Sequence, residues 1–124
     1  MLQNEMNAVA FSRPGGEAAR TMRGRPIDLA HLARQTMGDR ALEQEILGLF
    51  VQQTRQVRDR IGEAEPRECR QLAHGLVGSA RGVGAFAIAD CAAEIEAEPE
   101  NRTARKRLAR LIDEARDFVA AIGR

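Results

Sequence analysis

The sequence of 124 residues contains no tryptophan, no tyrosine and only four phenylalanines, so it offers few aromatic rings on which single-stranded nucleic acid could stack. It has no apolar run long enough to span a membrane, and its first residues lack the apolar core of a signal peptide. The net charge is only +1, so no overall field attracts nucleic acid or anionic lipid. We expect a cytoplasmic protein that binds neither nucleic acid nor a membrane.

Cysteine is also scarce. Cys69 and Cys91 are the only two, they form no CxxC pair, and both lie in apolar-rich segments. We expect two buried, reduced thiols, and the sequence alone leaves a disulfide open as the alternative. The histidines and cysteines show no spacing typical of a metal site, so we expect no metal and no cofactor.

Helical periodicity dominates what is present, and no segment alternates with a period of two. Residues 1–25 carry glycine and proline without an apolar period, which predicts a flexible tail. Residues 26–124 then form the predicted domain: a short helix capped by Asp28, and four longer helices over about 40–61, 66–83, from Phe86 to before Pro99, and through Leu108 to Ile122. Short loops make neighbouring helices antiparallel, so we predict an all-α, antiparallel up-and-down four-helix bundle with a short additional N-terminal helix.

Two faces of these helices can be predicted from spacing. The core stripe of the helix over 40–61 is predicted to be Leu42, Ile46, Leu49, Phe50, Val57 and Ile61, with a more polar turn at Gln53 and Thr54. The basic run of the last helix is predicted to be a solvated face: Arg102, Arg105, Lys106, Arg107 and Arg110. The alternative is a DNA-binding helix-turn-helix, whose affinity for DNA would fall steeply with salt.

The stretch "AHGLVGSARGVGA" at residues 73–85 places one histidine among four glycines inside a predicted helix. Each internal glycine costs a helix about 1 kcal/mol relative to alanine, so repeated glycines indicate a functional need. The predicted core face of this helix contains Cys69, Leu72, Leu76, Ser79, Ala80 and Val83. His74 lies on the opposite side, where the glycines would give a large partner access to its imidazole.

The helical neighbours of His74 suit a partner that carries an anion. Arg70 and Gln71 lie one turn before it, Val77 and Gly78 one turn after it, and Arg81 two turns after it. An exposed imidazole is mostly neutral and nucleophilic at pH 7. We expect no second general base beside it, and we expect the other histidine, His31, to be a surface or packing residue.

This stretch resembles the histidine-containing phosphotransfer (HPt) family, whose pattern is a helical histidine followed by small residues, then by an apolar residue, Gly and Ala. Here the pattern is His74-Gly-Leu-Val-Gly78-Ser-Ala, followed by Val83-Gly84-Ala85, and the segment "QTMGDRALEQEILGLFVQQT" is similar to the start of the family's second helix. The resemblance implies a bundle that is phosphorylated on His74 and relays the group between aspartates of receiver domains, in hybrid sensor kinases and response regulators. It implies a phosphocarrier without autonomous catalysis, and Gly78 as the small residue that lets a receiver approach.

One position departs from the family pattern, because Val77 stands where the family commonly has lysine. Arg70 or Arg81 is long enough to supply the missing cation. The alternative is a degenerate HPt-like adaptor that binds a receiver or a kinase without being phosphorylated. A single exposed histidine face suits one partner at a time, so we expect a monomer.

Overall fold

The computed structural model describes residues 25–123, which form five helices and no strand. They are α1 (Leu29–Gln35), α2 (Arg40–Ile61), α3 (Pro66–Val83), α4 (Phe86–Ala97) and α5 (Arg102–Ile122). Helices α2 to α5 pack in sequence, and α5 also packs against α2, which closes the bundle. The predicted four-helix bundle with a short additional N-terminal helix is therefore confirmed. The predicted tail over residues 1–25 lies outside the described residues except for Arg25.

Local hydrogen bonds explain where the helices begin. The side chains of Asp28, Asp39 and Asn101 each accept a hydrogen bond of 3.0 Å from the backbone N–H three residues later. Such a cap contributes about 1 kcal/mol, because it satisfies an N–H that has no partner within the helix. Pro66 occupies the first turn of α3, where its missing N–H costs nothing. The predicted cap at Asp28 is confirmed, and Asp39 caps α2 in the same way.

Gly84 ends α3 and also positions α1. Its φ of 91° is left-handed, and a Cβ atom there would lie 2.8 Å from the carbonyl oxygen of Asp28. The Gly84 carbonyl accepts a hydrogen bond of 2.9 Å from the Asp28 N–H. Only glycine permits both the turn and this close approach, so the C-terminal end of α3 is joined to the start of α1.

The predicted core stripe of α2 is only partly right. Phe50, Val57 and Ile61 are buried, but Leu42 and Leu49 are 40% and 61% exposed. The buried positions also include Leu47 and Thr54, and Thr54 is buried without penalty because its hydroxyl donates to the Val51 carbonyl at 3.1 Å. Where leucines fall on both flanks of a helix, the periodicity alone does not tell which flank faces the core.

The prediction of a solvated basic face on α5 is wrong for Arg105, which is only 3% exposed. Its guanidinium donates to the carbonyls of Ile61 at 3.0 Å, Ala64 at 2.9 Å and Pro99 at 2.9 Å. Carbonyls that follow a helix C-terminus have no partner within the helix and carry partial negative charge. Arg105 therefore links the α2–α3 loop to the α4–α5 loop. Arg107 and Arg110 do form exposed ion pairs with acidic residues, as expected of a solvated face.

Candidate functional site

The exposed side of α3 carries most of the predicted site residues. The buried side of α3 is formed by Cys69, Ala73, Leu76, Ala80 and Val83, whereas Leu72 and Ser79 are only partly buried. The core face is therefore rotated from the prediction toward Ala73, and α3 packs most extensively against α4. The exposed side brings together Arg70, Gln71, His74, Gly78 and Arg81. Val77 does not join them, because it is partly buried and packs against the core.

His74 is 77% exposed, and its Nδ1 atom lies 2.7 Å from Oε2 of Glu96, in the last turn of α4. An ionised carboxylate only accepts hydrogen bonds, so the hydrogen-bond network assigns the imidazole hydrogen to Nδ1. In the neutral ring the lone pair then lies on Nε2, the nitrogen that makes no hydrogen bond with residues 25–123. The expectation that His74 has no second acid–base group beside it is therefore wrong.

The sequence analysis does not identify Glu96, because Glu96 is distant from His74 in the chain. The distances of the two residues from the α3–α4 turn nevertheless indicate that they are close. His74 lies ten residues before Gly84, and Glu96 lies eleven residues after Ala85. In an antiparallel helix pair joined by a two-residue turn, residues at equal distances from the turn lie at the same level. Comparing these distances places Glu96 within one residue of the level of His74.

The glycines of α3 leave open space beside the imidazole. A Cβ atom built on Gly75, Gly78 or Gly82 meets no heavy atom within 4 Å. Packing within residues 25–123 therefore does not require these glycines, although each lowers helix stability by about 1 kcal/mol. We define the glycine row as Gly75, Gly78 and Gly82, a low surface next to His74.

Cations line the same side of α3. Arg67, Arg70 and Arg81 are exposed, and none forms an ion pair with another described residue. Their spacing from His74 is seven, four and seven residues, which places them on its side of the helix. Guanidinium groups bind phosphate oxygens with two parallel hydrogen bonds, so this face can receive an anionic group.

The comparison with protein families agrees with this geometry. The family model described as the Hpt domain matches residues 45–122, more than half of the chain. The chain belongs to the Hpt domain family. Hpt domains are phosphocarrier modules that interact with receiver domains of two-component systems. No curated protein and no solved structure gave a significant match.

The remaining candidates of this Hpt domain have packing roles. His31 is half-buried, and its ring packs edge-on against Phe86 with centroids 5.2 Å apart, so the prediction of a surface or packing residue is confirmed. Cys69 and Cys91 are free and buried, as predicted, and burial raises the pKa of both thiols. Residues 25–123 contain no cluster of metal-ligating side chains. Over the same residues, no helix is both long and apolar enough to cross a membrane.

Proposed function

We propose that this Hpt domain, over residues 26–124, carries a phosphoryl group on His74 and relays it between aspartates of receiver domains. Those receivers would belong to a hybrid sensor kinase and a response regulator. The observation that carries the proposal is the exposed imidazole whose Nδ1 donates to Glu96. We further propose that the carrier is cytoplasmic and monomeric and has no catalytic activity of its own.

The proposed step is an in-line transfer. The lone pair of His74 Nε2 forms the P–N bond, the bond from phosphorus to the aspartate oxygen breaks, and the aspartate leaves with the electron pair. The ring keeps its hydrogen on Nδ1 and becomes cationic. The carboxylate of Glu96, 2.7 Å away, offsets that positive charge. In the reverse step it keeps the hydrogen on Nδ1, so that the ring leaves phosphorus as neutral imidazole.

Neighbouring side chains support the transferred group in this proposal. Phosphoryl transfer depends mainly on positioning and charge stabilisation, and the receiver must bring the remaining machinery, including Mg²⁺. Arg70 and Arg81 extend from the same side of α3 as His74 and can bind the phosphoryl oxygens. We assign to Gln71 and Gly78 contacts with the docked receiver, and to Val77 only packing beneath them.

The experiment is phosphotransfer from phosphorylated receiver domains of the same genome. We expect acid-labile, base-stable label on the wild-type protein and none on His74→Gln. His31→Gln is the matched control, because it removes the other histidine and should keep the label. Gly78→Glu should slow transfer strongly by filling the open space beside the imidazole. Full labelling of His74→Gln would rule out the assignment of the phosphorylated residue.

The second candidate function is an adaptor that binds a receiver without being phosphorylated. Val77 favours it, because this position of α3 packs against the core and supplies no cation. Receiver binding without label, in the wild-type protein and with every receiver tried, would support the adaptor.

A further inference from the structure

A groove of about 480 Å³ lies between α1 and α5, at the end of the bundle where α2 begins. Both helices pack against α2, but within residues 25–123 they do not contact each other. The first turns of α2 therefore form the floor of the groove. Its apolar lining comes from all three helices: Leu29, Ala33, Leu47, Val119 and Ile122.

Apolar side chains remain exposed at this end of the bundle. Among the described residues, three of the four exposed large apolar side chains lie here: Met37 at 92%, Leu42 at 40% and Ile122 at 41%. Ile122 lines the groove itself, and Met37 directly precedes Gly38, which also lines it. Large apolar side chains are stabilised by burial, so packing within residues 25–123 leaves this surface uncovered.

The 24 residues that precede Arg25 join the described part of the chain beside this groove. Leu29 lines the groove, and Arg25 lies only four residues before it. Residues 12–24, "SRPGGEAARTMRG", are rich in glycine and arginine. Residues 2–11, "LQNEMNAVAF", instead contain one charged side chain, Glu5, and four large apolar ones: Leu2, Met6, Val9 and Phe11.

We propose that residues 2–11 dock into this groove and cover its apolar lining, with residues 12–24 as the linker. The 13 residues of the linker can span about 40 Å, whereas the seven residues of α1 measure about 10 Å, so the segment reaches the whole groove. A short linker holds its segment at an effective concentration of about 1 mM. A contact that is weak between separate molecules is therefore populated within one chain.

Charge in the groove favours this segment over a second copy of the same face. Arg40 lines the groove and forms no ion pair with another described residue. Glu43, the other charged residue of the lining, already accepts a hydrogen bond of 3.0 Å from the Thr36 hydroxyl. Residues 2–11 bring the opposite charge of Glu5 to Arg40, whereas a symmetric second copy brings another Arg40.

The test is a nitroxide spin label on the full chain carrying Ser12→Cys, observed by NMR. Cys69 and Cys91 are buried, and burial raises the pKa of their thiols, so the label should attach only at position 12. We expect the label to broaden away the amide signals of groove residues such as Ala33 and Gln44. The signal of Gly62 should remain, because the length of α2 places it about 30 Å from the groove.

Variants of the labelled chain should change this signal loss selectively. Phe11→Ser should lower the docking equilibrium constant about tenfold, because a large apolar side chain is lost from the contact. Ile122→Ser should lower it about fivefold, since that side chain is already partly covered. Leu49→Ser is the matched control, because it removes an exposed leucine of α2 that does not line the groove, and it should leave the signal loss unchanged.

The outcomes do not depend on phosphorylation, so each leaves the proposed relay on His74 standing. Groove signals that survive in the labelled chain, or signals lost equally at Gly62, overturn the docked segment. Signal loss that is the same in Phe11→Ser and Ile122→Ser as in the parent also overturns it. Signal loss seen only in a nitrogen-15 chain without the spin label, mixed with the spin-labelled chain, overturns docking within one chain and assigns the groove to a second copy.

Discussion

Glu96→Gln tests whether the carboxylate positions the reactive imidazole, because it keeps the length and shape of the side chain and removes its charge. The amide oxygen of glutamine can still accept from Nδ1 of His74, but only as a neutral partner. Its amide nitrogen can instead donate to Nδ1, which moves the imidazole hydrogen to Nε2 and occupies the lone pair that the proposed transfer uses. Either arrangement should slow the formation of phosphohistidine.

The size of the effect follows from the geometry of the pair. A hydrogen bond to a charged group contributes roughly twice as much as a neutral one, a difference of about 1 kcal/mol. Solvent screens part of this difference, since the side chains of His74 and Glu96 are 77% and 36% exposed. About 0.5–1 kcal/mol remains, which corresponds to a rate constant about two- to fivefold lower.

The assay is single-turnover transfer between receiver and carrier, measured in both directions from pH 6 to pH 9. Glu94→Gln is the matched control, because Glu94 lies on the same helix and pairs with Arg107 instead of His74. We expect the maximal rate to fall for Glu96→Gln alone, with the half-saturating receiver concentration unchanged. Nitrogen chemical shifts of the His74 ring should report a smaller population with hydrogen on Nδ1. A wild-type maximal rate, or unchanged ring shifts, would contradict the positioning role.

Two further predictions concern the stability of the bundle. Arg105→Met should lower the free energy of unfolding by about 3–5 kcal/mol in urea titration, because it leaves three carbonyls without their buried donor. Arg102→Met removes one exposed hydrogen bond to a carbonyl, so it should lower the free energy of unfolding by less than about 1 kcal/mol. Equal losses in the two variants would contradict the role of Arg105 as the link between the two loops. The guanidinium of Arg58, through two hydrogen bonds of 2.8 Å and 2.9 Å, holds the pKa of Asp113 below its ordinary value. The stabilisation by this pair is therefore present above the unfolded pKa of about 4 and lost as the pH falls through the lower folded value. In thermal melts from pH 6 to pH 2, Asp113→Asn should lower the melting temperature near pH 6, and this effect should disappear in acid. A difference in melting temperature that stays constant with pH would contradict the stabilising role of the Asp113 charge.

The helices could be predicted from the sequence because local features determine their ends. Asp28 and Asp39 cap the backbone within one turn, Pro66 and Gly84 delimit α3, and all of these act on residues adjacent in the chain. The position of His74 on the exposed side of α3 follows in the same way from the helical period. These features need no knowledge of the tertiary structure.

The contacts that the sequence does not predict join residues that are close only in the folded bundle. Glu96 reaches His74 across the α3–α4 pair, and Arg105 reaches carbonyls of two loops that lie about 40 residues and six residues before it. An arginine with buried carbonyl partners has the same local sequence pattern as an arginine in solvent. The prediction that Leu49 belongs to the core stripe of α2 is wrong for a related reason. The helical period alone does not decide which of two apolar flanks a neighbouring helix covers.

The replacement of the family's usual lysine by Val77 has a structural consequence for the proposed relay. Because Val77 packs against the core, any cation that binds the phosphoryl oxygens must come from Arg70, from Arg81 or from the receiver. Glu96 acts on the ring at Nδ1, whereas the arginines would act on the phosphoryl group at Nε2. The two kinds of group act on one ring and its phosphoryl group, so we expect their contributions to be coupled and not additive. The charge around the imidazole is thus divided between a carboxylate from α4 and guanidinium groups from α3.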